Sequence, residues 1–218
     1  MSYKAVIFDL DGTLLDTLKD LALSVNAVLV KKGYKSHPVS AYRYFVGDGI
    51  EKLVRRSFPP GSIDGESDLN AAVAAVKEEY SRRWSDYTEP YPGVPELLDF
   101  LEKEGIPKAI FSNKLHEFAR LTVEKLLPDW TFTEVCGIRD GIPYKPDPRG
   151  ALQIAGALNL NPREIIYVGD TATDMKTAVA GGFYPVGALW GFRTADELLE
   201  NGAESLAETP LEVAKFFK

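Results

Sequence analysis

Residues 4–17 read KAVIFDLDGTLLDT. From Lys4 to Phe8 the run is apolar, β-branched and aromatic, and Asp and Gly follow at once; that pattern describes a short buried strand ending in a turn. The spacing then changes. Between Leu15 and Lys32, the residues Leu18, Leu21, Val25, Val28 and Leu29 recur along one helical stripe, and Gly33 closes the helix. The chain thus opens as strand, acidic turn, helix.

Further helical patterning covers Val39–Val46, Gly49–Ser57 and Leu69–Trp84, interrupted by Pro59-Pro60-Gly61. No strand is expected between about residues 16 and 90. Beyond Pro92-Gly93 the pattern alternates. Helices are predicted at Val94–Lys103, His116–Leu127, Arg149–Leu158 and Thr173–Ala180, with a terminal one near Leu211–Phe217. Strands are predicted at Pro107–Phe111, Thr131–Cys136, Ile165–Val168 and Tyr184–Ala188. Strands and helices alternating through short links imply right-handed crossovers and a doubly wound, mostly parallel sheet. The expected fold is therefore α/β, with a core made of residues 1–15 and 91–218 and an inserted helical domain at 16–90. In such sheets ligands bind outside the carboxyl ends of the strands. Chemistry-bearing residues should then fall just past strands.

With 218 residues, 45% of them hydrophobic, the chain can bury a core without disulfides. A net charge of -7 argues against nucleic-acid binding, because no surplus of Lys and Arg is present to neutralise a phosphate backbone. The single cysteine, Cys136, reads as a buried strand residue and fits a reducing compartment. The apolar run at the N-terminus is too short for a signal peptide or membrane span. A cytoplasmic protein without a membrane partner is expected.

Four segments satisfy the strand-end rule. Asp9 and Asp11 follow the first strand as alternate residues. Two carboxylates so close repel one another unless a cation or a proton is shared. Mg2+ suits them, since it takes oxygen ligands and commonly needs one or two carboxylates plus phosphate and water; a solvated acidic turn is the alternative. Ser112 and Asn113 follow the strand PKAIF and could hold phosphate oxygens, or simply cap a helix. Lys145, in the proline-stiffened YKPDP, could offset charge on a phosphoryl group. Asp170 and Asp174, in VGDTATD, follow the strand IIYV, where helix capping is again the simpler role. Each is modest alone, but all four converge on one rim.

In order and spacing these segments resemble the haloacid dehalogenase superfamily, specifically its phosphatases with a Rossmann-like core and an α-helical cap after the first strand. The resemblance spans nearly the whole chain, and DLDGT is its most specific motif. It implies that Asp9 attacks phosphorus and binds Mg2+. Asp11 would protonate the leaving alkoxide and then deprotonate the water that hydrolyses an aspartyl-phosphate, its backbone carbonyl also facing the metal. Ser112 and Lys145 would hold the phosphoryl group, with Thr13 and Asn113 beside it. Asp170 would complete the metal's protein ligands, while Asp174 would orient ligated water or Lys145. An acid at position 11 separates the chain from relatives that dehalogenate without a metal and from transport ATPases, which place Thr there. These roles agree with what phosphoryl transfer demands: an in-line nucleophile, and positive charge around the equatorial oxygens.

Within residues 16–90 the segment VGDGI has Gly47 and Gly49, which permit close backbone approach to a substrate anion at a helix start. This GDG loop, and the later ALWGFRTADEL, resemble phosphoglycolate phosphatases, so 2-phosphoglycolate is the expected ester. Arg43, Lys52, Arg55 and Arg56 surround the loop and could meet a substrate carboxylate, although a solvated helix face is the plainer reading. Tyr42, Tyr44, Tyr80, Trp84 and Tyr87 read as core packing, and His37 and His116 as surface or loop residues. The expected partner is a small phosphorylated metabolite, and the protein a monomer or homodimer. Two other classes remain open: a sugar phosphomutase using the same acids, and a non-catalytic binding module on this fold.

Overall fold

A computed structural model describes residues 3–218. The chain forms two compact units, Met1–Leu15 with Pro90–Lys218, and Asp16–Glu89. The first holds a six-stranded sheet of β1 (Ala5–Phe8), β2 (Lys108–Leu115), β3 (Val135–Ile138), β4 (Ile165–Gly169), β5 (Tyr184–Ala188) and β6 (Ser205–Ala207). Their order is β3-β2-β1-β4-β5-β6, and every pairing is parallel. The chain moves outward from β1 to β3, then returns to place β4 on the other side of β1. The switch point therefore lies between β1 and β4, where a parallel sheet opens its ligand crevice.

The register follows from side-chain alternation. Val6, Phe8, Ile110, Ile166 and Val168 share one buried cluster, whereas Ala5, Ile7, Ala109, Phe111, Ile165 and Tyr167 share another. Successive residues of a strand face opposite sides, so unbroken apolar runs mean that both faces are covered. Helix α4 (Val94–Lys103) and α5 (His116–Leu126) supply Leu97, Leu98, Leu101 and Val123 to the first cluster. Helix α6 (Arg149–Leu158) and α7 (Ala172–Gly181) supply Ala151, Ile154 and Ala178 to the second.

The second unit contains α1 (Leu18–Lys31), α2 (Ile50–Ser57) and α3 (Gly65–Arg83). On α3 the buried residues Leu69, Ala72, Val73, Val76 and Tyr80 follow helical spacing. Asp20 on α1 is also buried, and its carboxylate accepts hydrogen bonds from Tyr87 N (3.0 Å), Thr88 N (2.9 Å) and Thr88 Oγ1 (2.7 Å). The two ends of this unit are thereby tied together by one polar group.

Several expectations change in detail. Helix α1 starts only at Leu18, because Leu14 and Leu15 belong to the buried cluster of the sheet-bearing unit. The strand expected at Thr131–Cys136 runs instead from Val135 to Ile138, where pairing with β2 begins. Val39–Tyr44 and the terminal Pro210–Phe217 are 3-10 helices. The expectation of no strand between 16 and 90 misses two-residue strands at Leu15–Asp16 and Glu89–Pro90. Helix α8 (Ala195–Glu200) and β6 carry no strong pattern and were not expected. Cys136 is buried in β3 as expected. Tyr42, Tyr80 and Trp84 are buried, but Tyr44 and Tyr87 stand 59% and 51% exposed, so those two do not pack a core. His37 lies in a loop as expected, half-buried with its Nε2 2.7 Å from Ser57 O, whereas His116 is a half-buried helix residue that opens α5.

Candidate active site

Asp9 leaves β1 with its backbone N–H donating to Val168 O (2.9 Å), which binds the end of β1 to β4 at the switch point. Its side chain is buried, as are those of Asp170 and Asp174, which follow β4. A carboxylate oxygen from each of these three residues lies within 4.8 Å of the others. One ammonium serves the group. Lys145 Nζ is 2.8 Å from Asp9 Oδ1 and 2.6 Å from Asp174 Oδ1, and it also donates to Phe111 O (3.2 Å).

The electrostatics follow from burial with too little positive charge. Burial, then the Asp174 carboxylate, push the Asp9 carboxyl up to about 7, with Lys145 opposing the shift. Asp170 is raised well above the carboxylate range by burial, then by Asp174 and Asp9. Burial alone would lower the Lys145 ammonium, but Asp174 and Asp9 outweigh it and hold the group well above its usual value.

That balance fits a divalent cation. Asp9 Oδ1 is buried and receives no aligned hydrogen bond despite the nearby ammonium. Each Asp170 oxygen accepts one donor, Oδ1 from Thr13 Oγ1 (2.9 Å) and Oδ2 from Phe192 N (2.9 Å), which leaves capacity on both. Asp174 is more fully engaged. Besides Lys145, it accepts from Thr171 N (3.1 Å) and Thr171 Oγ1 (2.6 Å) through Oδ2. It caps α7 and orients Lys145 at once, so the helix-capping and lysine-orienting readings both describe the same carboxylate. Gly169 permits this packing, because a Cβ there would collide with the Asp174 side chain.

The other sequence-predicted residues take definite places. Ser112 and Asn113 do not follow the strand as expected but lie within β2, which continues to Leu115. Ser112 is buried, and its Oγ accepts the Lys114 backbone N–H (3.3 Å), which leaves the hydroxyl proton available to donate. The Asn113 side-chain oxygen accepts the Lys145 backbone N–H (2.8 Å), so this amide oxygen holds the lysine loop. Thr13 is fully buried with its hydroxyl on Asp170 rather than exposed to a ligand. Asp11 is ion-paired with Lys114 at 2.9 Å. In the other unit Gly47 and Gly49 adopt φ of 108° and 91°, and Gly49 immediately precedes α2. There Arg56 and Lys52 pair with Asp48, and Arg55 with Glu66, as expected of a solvated helix face.

Sequence patterning missed three contributors. Lys114, which pairs with Asp11, and Thr171, which donates to Asp174, were not singled out. The segment Trp190-Gly191-Phe192 was noted only for its resemblance, yet it buttresses the site: Trp190 Nε1 donates to Thr13 O (2.8 Å) and Phe192 N to Asp170. Gly191 packs against Asp170 and the Gly12 carbonyl so closely that a Cβ would overlap both. No helix among the described residues is long and apolar enough to cross a membrane.

Comparison with known proteins yields a consistent set. The family model described as haloacid dehalogenase-like hydrolase matches residues 6–187. A phosphoglycolate phosphatase of Nitrosospira multiformis is 34% identical over 221 residues, covering 99% of this chain and 96% of that protein. One from Pseudomonas putida is 32% identical over 193 residues, covering 87% and 70%. A crystal structure from Lactobacillus delbrueckii subsp. bulgaricus, provisionally assigned as a phosphoglycolate phosphatase, superposes with a TM-score of 0.92 at 28% identity over 99% of this chain and 98% of that one. A haloacid dehalogenase-like hydrolase structure from Streptococcus pneumoniae shares the fold, with a TM-score of 0.88 at 24% identity over 99% of each chain.

Proposed function

From the premise that this chain belongs to the haloacid dehalogenase-like hydrolase family and is a phosphoric monoester hydrolase, we propose that it hydrolyses 2-phosphoglycolate to glycolate and phosphate through a phosphorylated Asp9. The observation that carries this reading is the Asp9 carboxylate at the sheet's switch point, beside a buried ammonium and with an oxygen no aligned donor occupies. A nucleophile needs that combination of access and charge compensation. The names of the relatives support the choice of ester.

In the first step an Asp9 oxygen forms a bond to phosphorus while the bond from phosphorus to the ester oxygen breaks. Asp11 gives its proton to the departing alkoxide. Lys145 and the Ser112 hydroxyl offset charge on the equatorial oxygens, where such groups contribute most. In the second step water attacks phosphorus, its proton passes to Asp11, and Asp9 leaves as a carboxylate. Splitting one displacement into two lowers each barrier. Asp9, Asp170 and the Asp11 backbone carbonyl are the groups that would hold Mg2+, which when bound supplies the positive charge that lets an anionic nucleophile meet an anionic phosphate.

The test is phosphate release from a panel of phosphorylated metabolites, with and without Mg2+ and with a chelator. 2-Phosphoglycolate should be turned over fastest, and chelation should abolish release. Asp9→Asn and Asp11→Asn should each lose on the order of a hundredfold or more while remaining folded. Near-normal hydrolysis by Asp11→Asn would sink the acid–base assignment. Rapid isomerisation of a sugar phosphate with little phosphate release would instead establish a mutase.

A further inference from the structure

Asp9 and Asp11 face different ammonium groups. Lys145 stands against Asp9. Lys114 Nζ lies 2.9 Å from Asp11 Oδ1 and 3.1 Å from Asp11 Oδ2. A cation reaching both oxygens restrains rotation of the carboxylate as well as its position. Surface pairs of this kind usually contribute little, because both side chains keep their freedom and water screens them. Here the Lys114 side chain is only 6% exposed and that of Asp11 20%, so the lysine is enclosed and the geometry held.

The same residue reaches a second group of the site. Its backbone N–H donates to Ser112 Oγ, while the neighbouring Asn113 accepts from the Lys145 backbone. Residues 112–114 thus orient the hydroxyl, the Lys145 loop and the Asp11 carboxylate from one strand end. A carboxylate offers about four lone-pair sites over its two oxygens. Lys114 engages each oxygen once, so capacity remains for a water proton.

We propose that Lys114 is a positioning residue that holds the Asp11 carboxylate for the water-activating step, the hydrolysis of phosphorylated Asp9. The proposal rests on the reading of function above. In that step the water oxygen bonds to phosphorus, the bond from phosphorus to Asp9 breaks, and Asp11 takes the water proton. A carboxylate free to rotate would meet the water in the right orientation less often, and misplacement by about 1 Å can cost on the order of a hundredfold.

An aryl phosphate isolates this step, because a p-nitrophenolate leaving group departs without needing a proton. Rapid mixing of Lys114→Met with p-nitrophenyl phosphate and Mg2+ should show a burst approaching one equivalent of p-nitrophenolate. Slow turnover follows, with kcat about 10- to 100-fold below the parent and kcat/KM nearly unchanged. Lys114→Arg, which keeps the charge, should recover part of the steady rate and show a smaller burst. It carries the same test if the Met variant melts early by circular dichroism. Equal loss of kcat and kcat/KM with no burst, a loss confined to KM, or a parental rate in the Met variant would each overturn the proposal. The parent and Asp9→Asn controls keep the two readings apart: a parent that releases no p-nitrophenolate refutes the functional assignment, whereas an active parent with a burst-free Met variant refutes only the role of Lys114.

Discussion

Thr13 and Asp170 are 157 positions apart, yet a 2.9 Å hydrogen bond joins them inside the protein. That bond and the one from Phe192 N fix the orientation of Asp170 before any cation arrives. Groups behind a metal ligand typically change affinity 10- to 100-fold when removed. Thr13→Val should therefore raise the Mg2+ concentration needed for half-maximal thermal stabilisation about tenfold, and Asp170→Asn should abolish the Mg2+-dependent rise in melting temperature. An unchanged Mg2+ titration in the Val variant would show that the hydroxyl serves packing alone. Asp9, Asp11, Asp170 and Asp174 were legible in the sequence because acids just past apolar strands are conspicuous. Lys114 was not. A lysine is solvated by default, and only the fold shows that this one is enclosed against an acid 103 positions away.

Helix α5 illustrates how an element can carry its own pH dependence. Its first residue, His116, accepts at Nδ1 from Gly137 N (3.3 Å) and stands 2.8 Å from Arg139 Nη1. Both neighbours are donors, so the ring is held as an acceptor at Nδ1. Burial first, then Arg139 and Arg120, lower its pKa from the ordinary value of 6.5. An unfolded chain consequently takes up a proton that the folded chain refuses as pH falls below about 6.5, and stability declines in that direction. The carboxyls of Asp9 and Asp170, raised by burial, act in the opposite sense over the same range, so the His116 contribution is read as a difference. From about pH 7 to about pH 5.5 the urea midpoint of the parent should fall relative to that of His116→Asn, which keeps an acceptor but cannot titrate; parallel profiles would remove His116 from the pH dependence. Elements with strong periodicity, such as α4, α6 and β5, were readable in advance. Helix α8 and β6 were not, because Ser205–Ala207 has no apolar run of its own and becomes a strand through pairing with β5.

Over the whole molecule, each unit is closed by contacts between distant stretches of chain. In the Asp16–Glu89 unit, Asp20 holds residues 67 and 68 positions away through two backbone donors and a hydroxyl. Asp20→Ala would leave those donors without a partner, a loss on the order of 3 kcal/mol. Amide exchange should accelerate within residues 16–89 while β1, β2 and β4 keep their protection. Uniform acceleration across both units would show that they unfold as one. The sequence alone determined the α/β class, the helical insertion and the acids of DLDGT and GDTATD, because apolar periodicity and turn chemistry are local properties of the chain. The tertiary structure decided which cation faces which acid. It also placed Thr13 and Phe192 on Asp170, gave Lys114 to Asp11, and set β4 beside β1 so that Asp9 and Asp170 share one crevice. Those pairings depend on sheet order and burial, which join residues that no local pattern relates.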